Sequence, residues 1–285
     1  MTFKRKLKDQ LLDVLTEKEL SLLPRGFQTI GNLVILKLNP ELYSRKKVIA
    51  EAFMVLLPRI TGVYINKGRI VGTYREPENI EFIAGVDDPV VQHKEHGVTY
   101  QFDITKIMFS KGNINERKFL ATLVKEGEVI VDMFAGIGYF SLPIAKHSKA
   151  KKIYAIELNS ESFKFLSINI KINNLENVIQ PINGNCKEEV IKLSNLGVKA
   201  DRVIMGVFPA PLDYVSVALT LVKEGRTIFH FEGVIGKDEH DSLFEDFKKI
   251  AKESGYKCEL ESYRYVKSYG PRLFHIVLDI FVKKN

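Results

Sequence analysis

"EVIVDMFAGIGYF", residues 128–140, passes from an apolar, β-branched run through Asp132 into two glycines and on into the helix-forming stretch "SLPIAKHS". A short apolar run closed by glycine reads as a buried strand. Gly136 and Gly138 allow positive φ and close backbone approach, and the helix behind them offers free N–H groups to a ligand. The third glycine of the dinucleotide fingerprint is missing, which disfavours a pyrophosphate cofactor. Glu157 ends the next apolar run, "KKIYAIELN", about 20 residues further on, at the interval of a ribose-binding acid. Outward from this turn, strand and helix alternate through "SESFKFLSINIKINN", "VIQPINGN", "ADRVIMGVF" and "GRTIFHFE". The alternation predicts an α/β fold, a Rossmann-like parallel sheet with helices on both faces, over residues 97–285. A helix over 241–254 and a closing antiparallel pair around Gly270 and Pro271 complete it.

Residues 1–96 follow a different pattern, expected to form a smaller α+β domain that serves recognition or braces the larger one. Leu7, Leu11, Leu12, Leu15 and Leu20 recur at helical spacing and predict one helix over 4–23, stopped by Pro24. A strand is expected over 30–39, then a helix opened by Pro40 and ended by Pro58. "GVYINKGRIVGTYREP" reads as a hairpin turning at Lys67 and Gly68, with Tyr64 and Ile65 facing Ile70 and Val71. The polar, aromatic stretch 93–124 joins the two regions and is expected to border the active site.

The 285 residues, 45% of them hydrophobic, are enough for a full core. A net charge of +7 suits a polyanionic partner, and equally a lysine-rich solvated surface. Cys186 and Cys258 are far apart and lack metal-ligand spacing, so neither a disulfide framework nor a metal site is indicated, and a reducing cytoplasm is expected. No stretch approaches the roughly 20 apolar residues of a membrane span.

Three stretches, "FDITKIMFSKGNINER", "DMFAGIGYFSLP" and "IELN", with "HKEHG" at 93–97, resemble one group of tRNA position-37 enzymes. The group holds the Trm5-type guanine N1 methyltransferases and the TYW2-type aminocarboxypropyltransferases of wybutosine synthesis. The resemblance spans roughly residues 70–240. It implies the class I S-adenosylmethionine-dependent transferase fold, with Glu157 on the ribose hydroxyls and Asn185 and Cys186 flanking the adenine. It also implies cofactor contacts from Ser110 and Arg117, backbone contacts from Phe134, Ala135 and Gly136, and a methionine-side wall at Pro209. Cys186 fits a small buried hydrophobe equally well, and Arg117 fits an exposed position on the helix that "NINERKFLATL" predicts.

The branch is decided by "DRVIMGVFPAP", residues 201–211. In the methyltransferase branch the fourth strand ends in an Asn-Leu-Pro-like segment whose amide belongs to the reacting site. Here Gly206, Val207, Phe208 and Pro209 stand there, as in the aminocarboxypropyl branch, and Ser110 is followed by Lys111 and Gly112 rather than by an "SPR"-type arginine. The resemblance therefore implies transfer of the 3-amino-3-carboxypropyl group of S-adenosylmethionine to C7 of 4-demethylwyosine at position 37 of tRNA(Phe), releasing methylthioadenosine. The rivals are a tRNA guanine-37 N1 methyltransferase and a tRNA-binding protein with a vestigial cofactor fold. The sulfonium activates several carbons, so positioning selects which one moves. The catalytic residue stays unassigned, with His93, Glu95 and Asp103 as candidates for a base. Arg69, Arg75, Lys106, Lys111 and Arg272 are candidate phosphate contacts, and Tyr74, Phe109 and Tyr265 candidate stacking aromatics. A monomer without metal or membrane attachment is expected.

Overall fold

The computed structural model describes residues 2–68, 70, 71 and 76–285, apart from the side chains of Ile70, Val71 and Glu76. Arg69, Tyr74 and Arg75 lie outside the described residues. Two compact units emerge, Met1–Lys94 with Thr99–Phe109, and Glu95–Val98 with Ser110–Asn285.

The first unit opens with α1 (Phe3–Leu11) and α2 (Glu17–Ser21), where one longer helix was expected. The break has a local cause. Thr16 accepts from the Glu19 amide while the Glu19 carboxylate accepts from the Thr16 amide, a capping box that starts a new helix. The expected strand over 30–39 is instead a hairpin of β1 (Gln28–Ile30) and β2 (Leu33–Leu36), because Gly31, at φ +53°, turns the chain between paired Ile30 and Leu33. After a 3-10 turn over Pro40–Arg45 come α3 (Lys46–Leu56), β3 (Gly62–Asn66), β4 (Ile70–Val71), β5 (Glu76–Pro77) and β6 (Ile80–Gly85). The expected pairing of Tyr64 and Ile65 with Ile70 and Val71 does not occur. Instead β3 pairs with β2 in parallel and with β6 antiparallel, while β4 takes β5. Leu7, Leu11, Ile49 and Phe53 close the core against this sheet. A two-stranded pair, β7 (Val90–Glu95) and β8 (Val98–Asp103), follows.

The second unit contains α4 (Ile114–Leu123), β9 (Val129–Asp132), α5 (Ser141–His147), β10 (Lys152–Glu157), α6 (Ser160–Ile172), β11 (Ile179–Asn183) and α7 (Cys186–Asn195). Then come β12 (Arg202–Met205), α8 (Val215–Ala218), β13 (Thr227–Gly236), α9 (His240–Glu253), β14 (Tyr256–Gly270) and β15 (Leu273–Lys284). The sheet runs β11-β10-β9-β12-β13-β15-β14, parallel through β13 and antiparallel beyond it. This is the α/β architecture expected from the sequence. Strand order reverses between β9 and β12, and in such sheets ligands bind outside the carboxyl ends at that reversal. Helices cover it through apolar stripes. On α9, Leu243, Phe247 and Ala251 face inward, and the Phe247 ring sits 5.5 Å and 5.3 Å from those of Phe229 and Phe231. Among the described residues no helix is long and apolar enough to cross a membrane, and no group of His, Cys, Asp or Glu is arranged to hold a metal ion.

Candidate functional site

The glycine turn is clipped to the neighbouring strand by a carboxylate. Glu157, at the tip of β10, accepts from the Gly136 amide at 2.7 Å through Oε2 and from the Asn159 amide at 2.7 Å through Oε1. Burial raises its pKa, and the amide donors oppose that shift. The Leu158 amide also bonds to this carboxylate, and with about four lone-pair sites it keeps capacity for a hydroxyl of a bound sugar. Gly136 and Gly138 have φ +56° and +96°, and a Cβ at Gly138 would lie 2.6 Å from Leu142 Cγ. Only glycine suits this turn without strain. Behind it, fully buried Asp132 accepts from Ser141 Oγ at 2.6 Å, and burial pushes its pKa up to about 7.

The tip of β11 is tied to the same place, since Gly184 N and Asn183 Nδ2 both donate to the Glu157 carbonyl, at 3.0 Å and 2.8 Å. Asn185 then caps α7 by accepting from the Lys187 amide, which commits its side-chain oxygen. Cys186 is buried, and burial pushes its thiol up to about 12, so it serves as a neutral wall rather than a nucleophile. Tyr214 joins the same wall, edge-on to Phe134 at 5.1 Å with the Lys187 ammonium 4.8 Å above its ring. Sequence reasoning missed Tyr214, which follows an irregular proline-rich stretch with no periodic pattern to mark it. Ala135 is buried and its amide donates to the Ile156 carbonyl at 2.9 Å, so the turn is also pinned through its backbone.

Ser110 and Arg117, paired by the resemblance, come together, but the helix position of Arg117 is buried, at 2% exposure, and not solvated. Its Nε and Nη2 donate to the two oxygens of Glu95 at 2.7 Å and 2.6 Å, and its Nη1 donates to the Ser110 carbonyl at 3.0 Å. The guanidinium carbon lies 5.9 Å from the centre of the Tyr139 ring, in the glycine turn. Ser110 Oγ accepts from Lys267 Nζ at 2.8 Å. Both oxygens of Glu95 are engaged by Arg117, which leaves this candidate base poorly placed to take a proton.

His93 and Asp103 belong to the first unit, where Asp103 accepts from the Thr105 amide and hydroxyl to close a turn. Phe109, expected to stack on a base, is buried instead and packs its ring at 5.0 Å, nearly parallel, on Phe102. Its apolar neighbours claimed it for the core. Lys106, Lys111 and Arg272 are exposed, and Tyr265 is 40% exposed with its hydroxyl accepting from the Asp238 amide.

At the mouth, Pro209 is exposed and its carbonyl accepts from the Val234 amide at 2.8 Å, tying the segment after β12 to β13. The Phe208–Pro209 peptide is cis. Gly206 lies where a Cβ would come 3.2 Å from the Phe140 ring and 3.4 Å from Glu232 Oε1. Glu232 accepts at Oε2 from the buried His275 at 2.9 Å, a pair the sequence signalled only as an acid inside the apolar run "TIFHFEGVI". A cavity of about 570 Å³ opens elsewhere, at the amino ends of β12 and β13, and three of the cations that line it are held in ion pairs. Arg202, Lys223 and Arg226 pair with Glu128, Asp201 and Glu261.

Residues 91–260 match the family described as the TRM5/TYW2 methyltransferase domain, and residues 7–88 match the TYW2 N-terminal domain. A Pyrococcus horikoshii protein named tRNA(Phe) (4-demethylwyosine(37)-C(7)) aminocarboxypropyltransferase is 38% identical, over 99% of this chain and 98% of its own length. The tRNA (guanine(37)-N(1))-methyltransferase Trm5b of Pyrococcus abyssi is 33% identical, over 91% of this chain and 76% of its own. The crystal structure of P. horikoshii TYW2 in complex with MeSAdo superposes with a TM-score of 0.84 at 34% identity, covering 99% of this chain and 100% of that one.

Proposed function

The chain belongs to the TRM5/TYW2 family, and from that premise we propose that it transfers the 3-amino-3-carboxypropyl group of S-adenosylmethionine to C7 of 4-demethylwyosine at position 37 of tRNA(Phe). Methylthioadenosine is the second product. The observation that carries the choice of branch is the mouth segment, where Gly206, Val207, Phe208 and Pro209 supply no amide. The match of residues 7–88 to the TYW2 N-terminal domain supports the same choice.

The site fits the cofactor. Glu157 is held by backbone amides with lone-pair capacity to spare for a ribose hydroxyl, and Cys186 and Tyr214 make a neutral wall beside it for a flat base. Phe134, Ala135 and Gly136 present backbone at the turn, and Pro209 borders the methionine side. Asn185 acts as the cap that fixes Cys186. Arg117 acts through Ser110, whose position it sets by a hydrogen bond to the carbonyl. Bound here, the sulfonium supplies an electrophilic carbon and a neutral thioether leaving group. These residues bind and orient it, and the mouth decides which carbon meets the RNA base. Residues 1–96 recognise the tRNA or brace the larger domain, residues 97–285 carry the chemistry, and the enzyme works as a monomer in the cytoplasm.

The test is a pair of incubations with tRNA(Phe) bearing 4-demethylwyosine, one with methyl-labelled and one with carboxyl-labelled S-adenosylmethionine. Carboxyl label in the RNA is expected. Methyl label alone would assign the chain to the methyltransferase branch, and tRNA binding with no label would leave a binding protein.

A further inference from the structure

We propose that Glu232, steadied by His275, is the proton acceptor of the transfer reaction. The inference rests on the reading above and supplies the base that the sequence could not assign.

Placement comes from strand register. Phe231 pairs with Met205, the last residue of β12, so Glu232 stands one step further, beside Gly206 at the carboxyl end of the parallel sheet. This is the edge at which Asp132 ends β9 and Glu157 ends β10. Gly206 has no Cβ to fill the gap between the Phe140 ring and Glu232 Oε1, where one would sit 3.2 Å and 3.4 Å from them. The carboxylate thus meets the mouth segment where the methyltransferase-like amide is missing.

Its hydrogen bonding is lopsided. Oε2 accepts from His275 Nε2 at 2.9 Å, whereas Oε1 has no hydrogen bond among the described residues. His275 is fully buried and its Nδ1 has no partner among the described residues, so the neutral tautomer with its proton on Nε2 costs least. The Phe208 ring lies edge-on to this imidazole at 4.7 Å, which links the pair to the mouth. An apolar pair would fill this space at lower cost to folding, since a buried polar pair seldom repays its desolvation.

The chemistry requires such a group. When C7 attacks the γ-carbon of the methionine arm, a C–C bond forms and the C–S pair stays on sulfur as a neutral thioether. The ring then carries the positive charge and still holds its C7 proton. Transfer of that proton to Glu232 Oε1 returns the C–H pair to the ring, while His275 keeps its own proton on Nε2. The protonated carboxyl releases its proton to water when product leaves.

The experiment compares wild type and Glu232→Gln on tRNA carrying 4-demethylwyosine with hydrogen or deuterium at C7, and measures affinity for S-adenosylmethionine and methylthioadenosine by calorimetry. Loss of a general base costs on the order of 100- to 10,000-fold in rate. The expected result is such a loss in kcat, a C7 isotope effect absent from wild type, and both affinities unchanged. Unchanged kcat, or a loss without an isotope effect, overturns the proposal. So does a fall in S-adenosylmethionine affinity alone, which would place Glu232 on the ammonium that methylthioadenosine lacks. Gly206→Ala keeps both members of the pair but inserts a methyl before Oε1, and should raise the isotope effect even if Glu232→Gln does not fold. An unchanged isotope effect in that variant overturns the proposal too. If wild type transfers no carboxyl label, the functional reading fails, and that outcome is distinct from a failure of Glu232.

Discussion

Arg117 sits on a helix that reads as amphipathic, yet its guanidinium is sealed in a two-point pair with Glu95, both side chains at or below 3% exposure. Removing one member of a buried pair strands the other charge, at roughly 3–5 kcal/mol. Glu95→Ala should lower stability by that order in denaturant melts and weaken cofactor binding through Ser110. Asp132 obeys a different logic. Burial raises its pKa to about 7 against an unfolded value near 3.9, so the folded state holds the proton more tightly. Its stabilising effect is complete below the unfolded value and is lost as pH rises through about 7. Asp132→Asn should therefore gain thermal stability over wild type as pH goes from 5 to 8, read from melting curves at both pH values. Sequence spacing found Glu157 because a strand-end acid keeps a fixed interval from the glycine turn. The same spacing could not find the partners of Arg117 or Glu232, because those pairs form across elements distant in the chain.

Among the elements, the five parallel strands were legible because short runs rich in apolar and β-branched residues alternate with helical segments. The short strands of the first unit were not, since a two-residue turn at Gly31 and an excursion between β3 and β6 leave little periodicity to read. The split between α1 and α2 had a signature, Thr16 followed by Glu19, overridden by the leucine spacing around it. Thr16→Ala removes that cap and should cost about 1 kcal/mol in a urea melt. At the glycine turn, Gly138→Ala forces a Cβ to within 2.6 Å of Leu142 Cγ at φ +96°. The variant should lose cofactor affinity more than tenfold by calorimetry, because the turn must shift to relieve the overlap.

Across the whole molecule, the charge of +7 has a measurable consequence for an enzyme acting on tRNA. Affinity for tRNA should fall steadily between about 50 and 200 mM salt, with a logarithmic slope of about −0.7 per phosphate contact on single-stranded segments. A flat dependence would mean that phosphates contribute little. The division into an α+β part and a parallel α/β part was legible from the change of pattern along the chain, but its path was not. The chain leaves the first unit after Lys94, returns at Thr99 and leaves again after Phe109. With three passages, no single cut in the gene yields both units whole. Whichever site is cleaved, at least one of the two fragments would lack a piece of its own structure, so recombination that grafts one unit onto another scaffold would have to exchange segments rather than ends. A contiguous exchange of the first unit should fail to give a soluble chimera.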